Sequence, residues 1–200
     1  MGLHAALTTA LGLEHPIVQA PMAGASTPAL AAAVSEAGGL GSLPCALLGP
    51  DEIRAGVEEI RSRTSRPFAL NFFCHETPTA TPAELDRWAE LLAPFYEELG
   101  VAATGAPPPS RASFDEELCD LALEMRPAVV SFHFGLPEPA LLRPLQEAGC
   151  AIVSSATTVA EARWLAGRGC DAVIAQGAEA GGHRAMFLAD DPAAQIGTIA

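Results

Sequence analysis

Two histidines each follow an apolar run that reads as a β-strand, so each is delivered to a strand's C-terminal end. His133 lies in Ser131-Phe-His-Phe-Gly135, and His183 closes Gln176-Gly-Ala-Glu-Ala-Gly-Gly-His183. An imidazole exchanges a proton near neutral pH, so either ring is a candidate acid, base or anion ligand. In the second motif Gly177, Gly181 and Gly182 permit positive φ and close approach of backbone to a flat ligand. Bland readings stand beside these. His183 can simply satisfy loop carbonyls, and His133 can be a core histidine bonded to a neighbouring strand or loop.

Carboxamides add to the pattern. Asn71 interrupts the apolar run Phe68-Ala-Leu-Asn-Phe-Phe73, and a buried amide costs free energy unless its donors and acceptor find partners. Both Asn71 and Gln176 could hydrogen-bond a heterocycle; a local backbone partner is the alternative for each. Ala20, Pro21 and Met22, within Gln19-Ala-Pro-Met-Ala-Gly24, end another apolar run and offer backbone groups and a thioether as a wall for an aromatic ring. Ser154 and Ser155 end a further strand and stay undecided. His4 and His15 read as ordinary, and His75 can line the mouth of a site. The five cysteines are odd in number and widely spaced, without a Cys-x-x-Cys pair or a His/Cys grouping. Buried free thiols are expected, and no metal site.

Strand-like runs alternate with amphipathic stretches along the chain, the pattern of strand-helix units on a parallel sheet. Strands are expected at Ile17–Pro21, Leu40–Pro44, Phe68–Phe73, Ala128–His133, Ala151–Ser155 and Ala172–Gln176. Helices are expected at Thr27–Ala37, from Gly49 to about Arg63, at Glu138–Glu147 and at Val159–Ala166. Between the third and fourth strands, residues 77–126 carry helical patterns at Pro82–Leu99 and Ser113–Met125, joined by Gly105-Ala-Pro-Pro-Pro109. This stretch reads as an elaborated βα connection over the C-terminal face of the sheet, where βα loops build active sites. Residues 1–200 are read as one α/β domain, a TIM-type (β/α) barrel with about six of its eight units present. Gln195–Ala200 reads as the start of a helix cut in mid-pattern.

Composition narrows the partners. Half the residues are apolar and 18% are charged, enough for a sizeable core, and the net charge of −13 repels a phosphate backbone. Neither nucleic acid nor membrane is expected as a partner. The N-terminus lacks the cationic start and long apolar run of a signal peptide, so a cytoplasmic location is expected.

Gln19-Ala-Pro-Met22, Ala69-Leu-Asn-Phe72, Ser131-Phe-His-Phe-Gly135 and Gln176–His183 occur in the order and spacing of the nitronate monooxygenases, which the chain resembles from about His15 to its end. The last motif also resembles flavin-dependent enoyl-acyl-carrier-protein reductases; Phe-His-Phe-Gly favours the nitronate branch. The resemblance implies a TIM barrel with FMN at its C-terminal face and oxidation of alkyl nitronates, such as propionate 3-nitronate, by O2 to a carbonyl compound and nitrite. It implies His183 as the catalytic histidine; His133, flanked by two aromatic residues at its strand's end, is read from its position as binding or orienting the substrate. Asn71, Gln176, Gly181 and Gly182 would contact FMN, with Ala20, Pro21 and Met22 lying against the ring. The phosphate-gripping positions of the family fall beyond Ala200. An NAD(P)H-dependent enoyl or quinone reductase on the same scaffold, an inactive barrel fragment, and assembly into a homo-oligomer all stay open.

Overall fold

The computed structural model describes residues 8–77, 79–102, 113–189, 191, 193 and 196–199. The expected linker at Gly105–Pro109 and the residues His4, Gln195 and Ala200 lie outside them. The elements run α1 (Pro28–Glu36), β1 (Gly41–Pro44), α2 (Pro50–Arg63), β2 (Phe68–Phe73), α3 (Pro82–Leu99), α4 (Glu116–Met125), β3 (Val129–His133), α5 (Pro139–Glu147), β4 (Ala151–Ala156), α6 (Val159–Ala166) and β5 (Ala172–Ala175). The chain divides into two compact units, Glu76–Arg111 and the remainder.

The sheet belongs to the larger unit. All its strands pair in parallel, in the order β1-β2-β3-β4-β5. Successive strands are neighbours and the order runs in one direction, as in a (β/α) barrel; a doubly wound sheet would reverse its order partway. The architecture is therefore the α/β, TIM-type winding expected from the sequence.

The two-residue period of a strand sorts side chains between the faces. Phe68, Leu70 and Phe72 of β2, Val130 and Phe132 of β3, and Ile152 of β4 join Ile53, Val57, Ile60, Leu118, Leu121, Leu142 and Leu145 of the helices in the main core. The alternate positions of β2 and β3 face the other way, where a smaller cluster of Leu13, Leu40, Ala69 and Val129 gives way to buried Asn71 and Ser131 and then to Phe73 and His133. Period-two alternation thus places an amide, an aromatic ring and an imidazole on the inner face at the strands' C-terminal end.

Local chemistry sets the helix starts. Thr27 Oγ1 accepts from Leu30 N–H, Asp115 Oδ1 from Leu118 N–H, and Thr158 Oγ1 from Glu161 N–H, each satisfying an amide left unpaired in a first turn. Pro28, Pro50 and Pro139 occupy helix starts, where a missing N–H costs nothing. In the smaller unit, Thr81 and Glu84 form a capping box for α3, and Gly100 ends that helix at φ +62°.

Two expectations need correction. Ile17–Pro21 does not form a full strand: it makes a single parallel bridge, Val18 to Leu40, and leaves Ile17 61% exposed. Pro21 has no N–H for a ladder, and beyond the bridge the Gln19 side chain takes over. Its Nε2 donates to Ser42 O and its Oε1 accepts from Ser42 N–H. Nor does a helix form at Ile196–Ile199, which lies in a turn tied back to the Gln176–His183 loop. There Ala178 N–H donates to Ile196 O at 2.8 Å, and Thr198 N–H to Glu179 Oε1 at 3.0 Å. Among the described residues no helix is long and apolar enough to cross a membrane.

Candidate active site

At the C-terminal end of the sheet, β2, β3 and the loop after β5 converge. Phe73 and His133 are register partners on adjacent strands, and their ring centroids lie 5.6 Å apart. Phe134 packs edge-on against both, at 5.2 Å from Phe73 and 4.6 Å from His133. The His183 ring meets Phe73 at 5.4 Å, Phe134 at 6.1 Å and His133 at 6.4 Å. His75 joins from beyond β2, 6.1 Å from Phe134, with its Nδ1 buried and without a hydrogen-bond partner. Two histidines separated by 50 residues, one half-buried and one exposed, therefore share one aromatic nest.

The backbone that carries this nest is held in unusual conformations. Phe134 has φ +67° and Gly135 φ +95°; the first costs a non-glycine residue roughly 1–2 kcal/mol. The turn is tied from below by Ser154, fully buried, whose hydroxyl donates to Gly135 O at 2.7 Å and lies 3.2 Å from Phe132 O. From above, the Phe187 ring covers Gly135 so closely that a Cβ there would lie 3.2 Å from Phe187 Cδ2.

The His183 loop is fixed through its backbone. Gln176 Nε2 donates to His183 O at 2.8 Å, and Gln176 Oε1 accepts from Ala185 N–H at 2.8 Å. Arg184 Nη1 donates to the carbonyls of Gln176 and Gly177. The Gln176 carboxamide thus takes local backbone partners and closes its own loop. His133 Nε2 lies 3.1 Å from the same His183 O. A carbonyl only accepts, so His133 must carry its proton on Nε2. Burial lowers the His133 pKa below the usual imidazole value and the adjacent His183 charge works the same way, against the hydrogen bond to His183 O, which raises it. His133 is therefore a neutral donor to the His183 backbone, and the His183 ring is exposed.

Asn71, buried on the inner face, donates from Nδ2 to Ser131 Oγ at 2.9 Å and Ser131 O at 3.3 Å, which fixes the orientation of its amide. Gly181 and Gly182 leave open space where a side chain would stand, and Gly182 has φ +78°. The Ala20-Pro21-Met22 segment lies beyond the opposite edge of the sheet, next to β1. It is pinned by Ser26, whose Oγ accepts from Met22 N–H and donates to Ala20 O, both at 3.1 Å, leaving Met22 52% exposed. Open glycines, a fixed amide and an exposed thioether fit a flat heterocycle. Arg184, the basic residue of the His183 loop, directs Nη1 to the carbonyls of Gln176 and Gly177.

Among the described residues no three His, Cys, Asp or Glu side chains are grouped to hold a metal. A cleft of about 460 Å³ lies at the other end of β2 and β3, with Arg61, Arg66, Phe68 and Arg126 in its lining. Arg61 there donates to Met125 O and Arg66 pairs with Glu14 at 2.7 Å, so two of its guanidiniums support the fold.

Sequence reasoning missed Ser26 and Glu161 as supports of the site and left Ser154 undecided. Their signal is a polar side chain at a buried position, which becomes visible only once burial is known.

The model of the nitronate monooxygenase family matches residues 4–199. The chain is 44% identical over 202 residues to a nitronate monooxygenase of Paraburkholderia phytofirmans, covering 98% of this chain and 54% of that protein. It is 46% identical over 200 residues to one of Pseudomonas aeruginosa, covering 96% and 56%. In structure it resembles a nitroalkane oxidase of Streptomyces ansochromogenes, with TM-score 0.82 and 38% identity over 96% of this chain and 54% of that one. FabK of Thermotoga maritima gives TM-score 0.63 and 32% identity over 90% and 46%. The chain spans about half the length of the curated relatives it matches.

Proposed function

Because the chain belongs to the nitronate monooxygenase family, we propose that the protein oxidises alkyl nitronates, propionate 3-nitronate among them, with O2 and bound FMN to a carbonyl compound and nitrite. The observation that carries this reading is the exposed His183 imidazole, set on an open glycine turn and backed by Phe73, His133 and Phe134. FMN supplies the electron chemistry between substrate and O2. Asn71, Gly181, Gly182 and the Ala20-Pro21-Met22 turn would hold the flavin ring, and Gln176 shapes the His183 loop through its bonds to His183 O and Ala185 N–H. His183 binds the anionic nitro group, or takes the α proton from a neutral nitroalkane at an imidazole nitrogen. The aromatic rings around it limit water, and an imidazolium or oriented N–H groups supply the local positive potential an anion needs in a chain of net charge −13.

Replacing His183 with Asn should lower turnover of neutral nitroethane far more than it lowers FMN content, both read on the same FMN-loaded sample. Unchanged turnover would remove His183 from the reaction. The reductase reading is less favoured, because the likeness to FabK is weaker in both identity and TM-score than that to the nitroalkane oxidase. Anaerobic bleaching of the flavin by NADPH would support it instead.

A further inference from the structure

Glu161 sits in the first turn of α6, a place where an acidic residue normally faces solvent and favours the helix dipole. Here it is 0% exposed. A buried carboxylate must be hydrogen-bonded on all sides to stay ionised, and this one is. Oε2 accepts from Thr157 N–H and Thr157 Oγ1–H, both at 2.7 Å. Oε1 accepts from Phe187 N–H at 2.8 Å and Leu188 N–H at 3.1 Å. Two bonds are local to the start of α6; the other two reach 26 and 27 residues along the chain, to the segment that follows His183.

That segment also packs on the turn that follows His133. The Phe187 amide is fixed by Glu161, and its ring is braced by Trp164 at 5.1 Å and laid on Gly135, next to Phe134 and His133. Between the Glu161 clamp at residues 187–188 and the Gln176 bonds to His183 O and Ala185 N–H, the chain has little freedom. We infer that Glu161 is a positioning residue for His183: its buried carboxylate anchors residues 187–188 to the N-terminus of α6, which keeps the imidazole in the nest of Phe73, His133 and Phe134. Glu161 touches no ligand and acts wholly through the loop. Burial works against its charge, but the four hydrogen bonds outweigh burial and hold its pKa below the usual carboxylate value, so the clamp is intact at neutral pH.

The geometric claim stands on its own contacts; its effect on turnover rests on the proposed role of His183. The test compares wild type, Glu161→Ala and Glu161→Gln by amide hydrogen exchange, by the NMR shift of the His183 ring proton and by turnover of nitroethane in the FMN-loaded protein. Bonds to a charged acceptor are the strong class, so in Glu161→Ala the Phe187 and Leu188 amides should exchange about ten- to a hundredfold faster while those of Leu70 and Val130 hold. The His183 ring proton, shifted by the neighbouring Phe73 and Phe134 rings, should move toward its unfolded position, and kcat should fall with KM little changed. Glu161→Gln should lie between, because its amide oxygen can still accept from Phe187 and Leu188 but its NH2 faces the Thr157 donors. If Glu161→Ala does not fold, Glu161→Gln and Thr157→Val carry the same readouts. Unchanged exchange at 187 and 188 in a folded variant overturns the clamp. Faster exchange with an unmoved His183 shift overturns the positioning role. A wild type that binds FMN yet turns over no nitro compound removes the proposed function while exchange and ring shift still decide the clamp.

Discussion

Gly135 is where the two histidine-bearing loops touch, and replacing it with alanine tests that contact quantitatively. The substitution carries two costs. The first is conformational: at φ +95° an L side chain is strained, by roughly 1–2 kcal/mol. The second is steric, since the new Cβ would lie 3.2, 3.4 and 3.6 Å from Phe187 Cδ2, Cγ and Cε2. The ring cannot yield freely, because Trp164 braces it and Glu161 holds its backbone; about 1 kcal/mol of overpacking follows. The total, about 2–3 kcal/mol, should lower Tm by roughly 4–12 °C for a domain of this size. Thermal unfolding of Gly135→Ala, Phe187→Ala and the double variant separates the costs. Removing the ring should abolish the steric part and leave the conformational one, giving a coupling of about 1 kcal/mol. A Gly135→Ala loss below about 0.5 kcal/mol, or a cycle without coupling, would refute the packing of Phe187 on the turn that carries His133.

Gly41→Ala would place a Cβ on the Ala31 carbonyl and against Ser35 Oγ, so α1 must lift off β1; unfolding in urea should show a loss of about 3 kcal/mol or more, and an unchanged midpoint would contradict the α1–β1 packing. Burial, only partly offset by a backbone hydrogen bond from Asn71, pushes the Cys45 thiol up to about 12; native protein should resist iodoacetamide at Cys45 until unfolded, and rapid native labelling would contradict its burial. For His133 the folded pKa lies below the unfolded value of about 6.5, so folding favours the neutral ring. Its contribution is therefore fully present above that value and is lost as pH falls through the depressed folded one; an NMR titration above about 6.5 would reverse the sign.

Much of the fold is written in local pattern. The apolar run Phe68–Phe73 and the amphipathic stretches Pro82–Leu99 and Val159–Ala166 form elements with the expected bounds, because periodicity and end signals lie within a few residues of each other. Ile17–Pro21 has the same apolar composition but only one bridge, since pairing depends on a neighbouring strand as well as on the segment itself. The site is less legible. Strand order and register bring Phe73, His133 and His183 together from three separate segments, and their placement at strand ends could be read from the sequence. What supports them could not. For Gln176 the sequence leaves a heterocycle and a local backbone partner both open, and only the fold shows its bonds to His183 O and Ala185 N–H; Glu161 draws no notice in the sequence until residues 187–188 are seen to bond it. Such side-chain-to-backbone bonds leave no periodic trace.

The account's central claim is best tested by nitrite release from propionate 3-nitronate, measured with O2 uptake on the FMN-loaded protein. Nitrite should form in step with nitronate consumed, require both FMN and O2, and proceed without NADH or NADPH. A flavin-loaded protein that releases no nitrite but is bleached by NADPH would contradict the account.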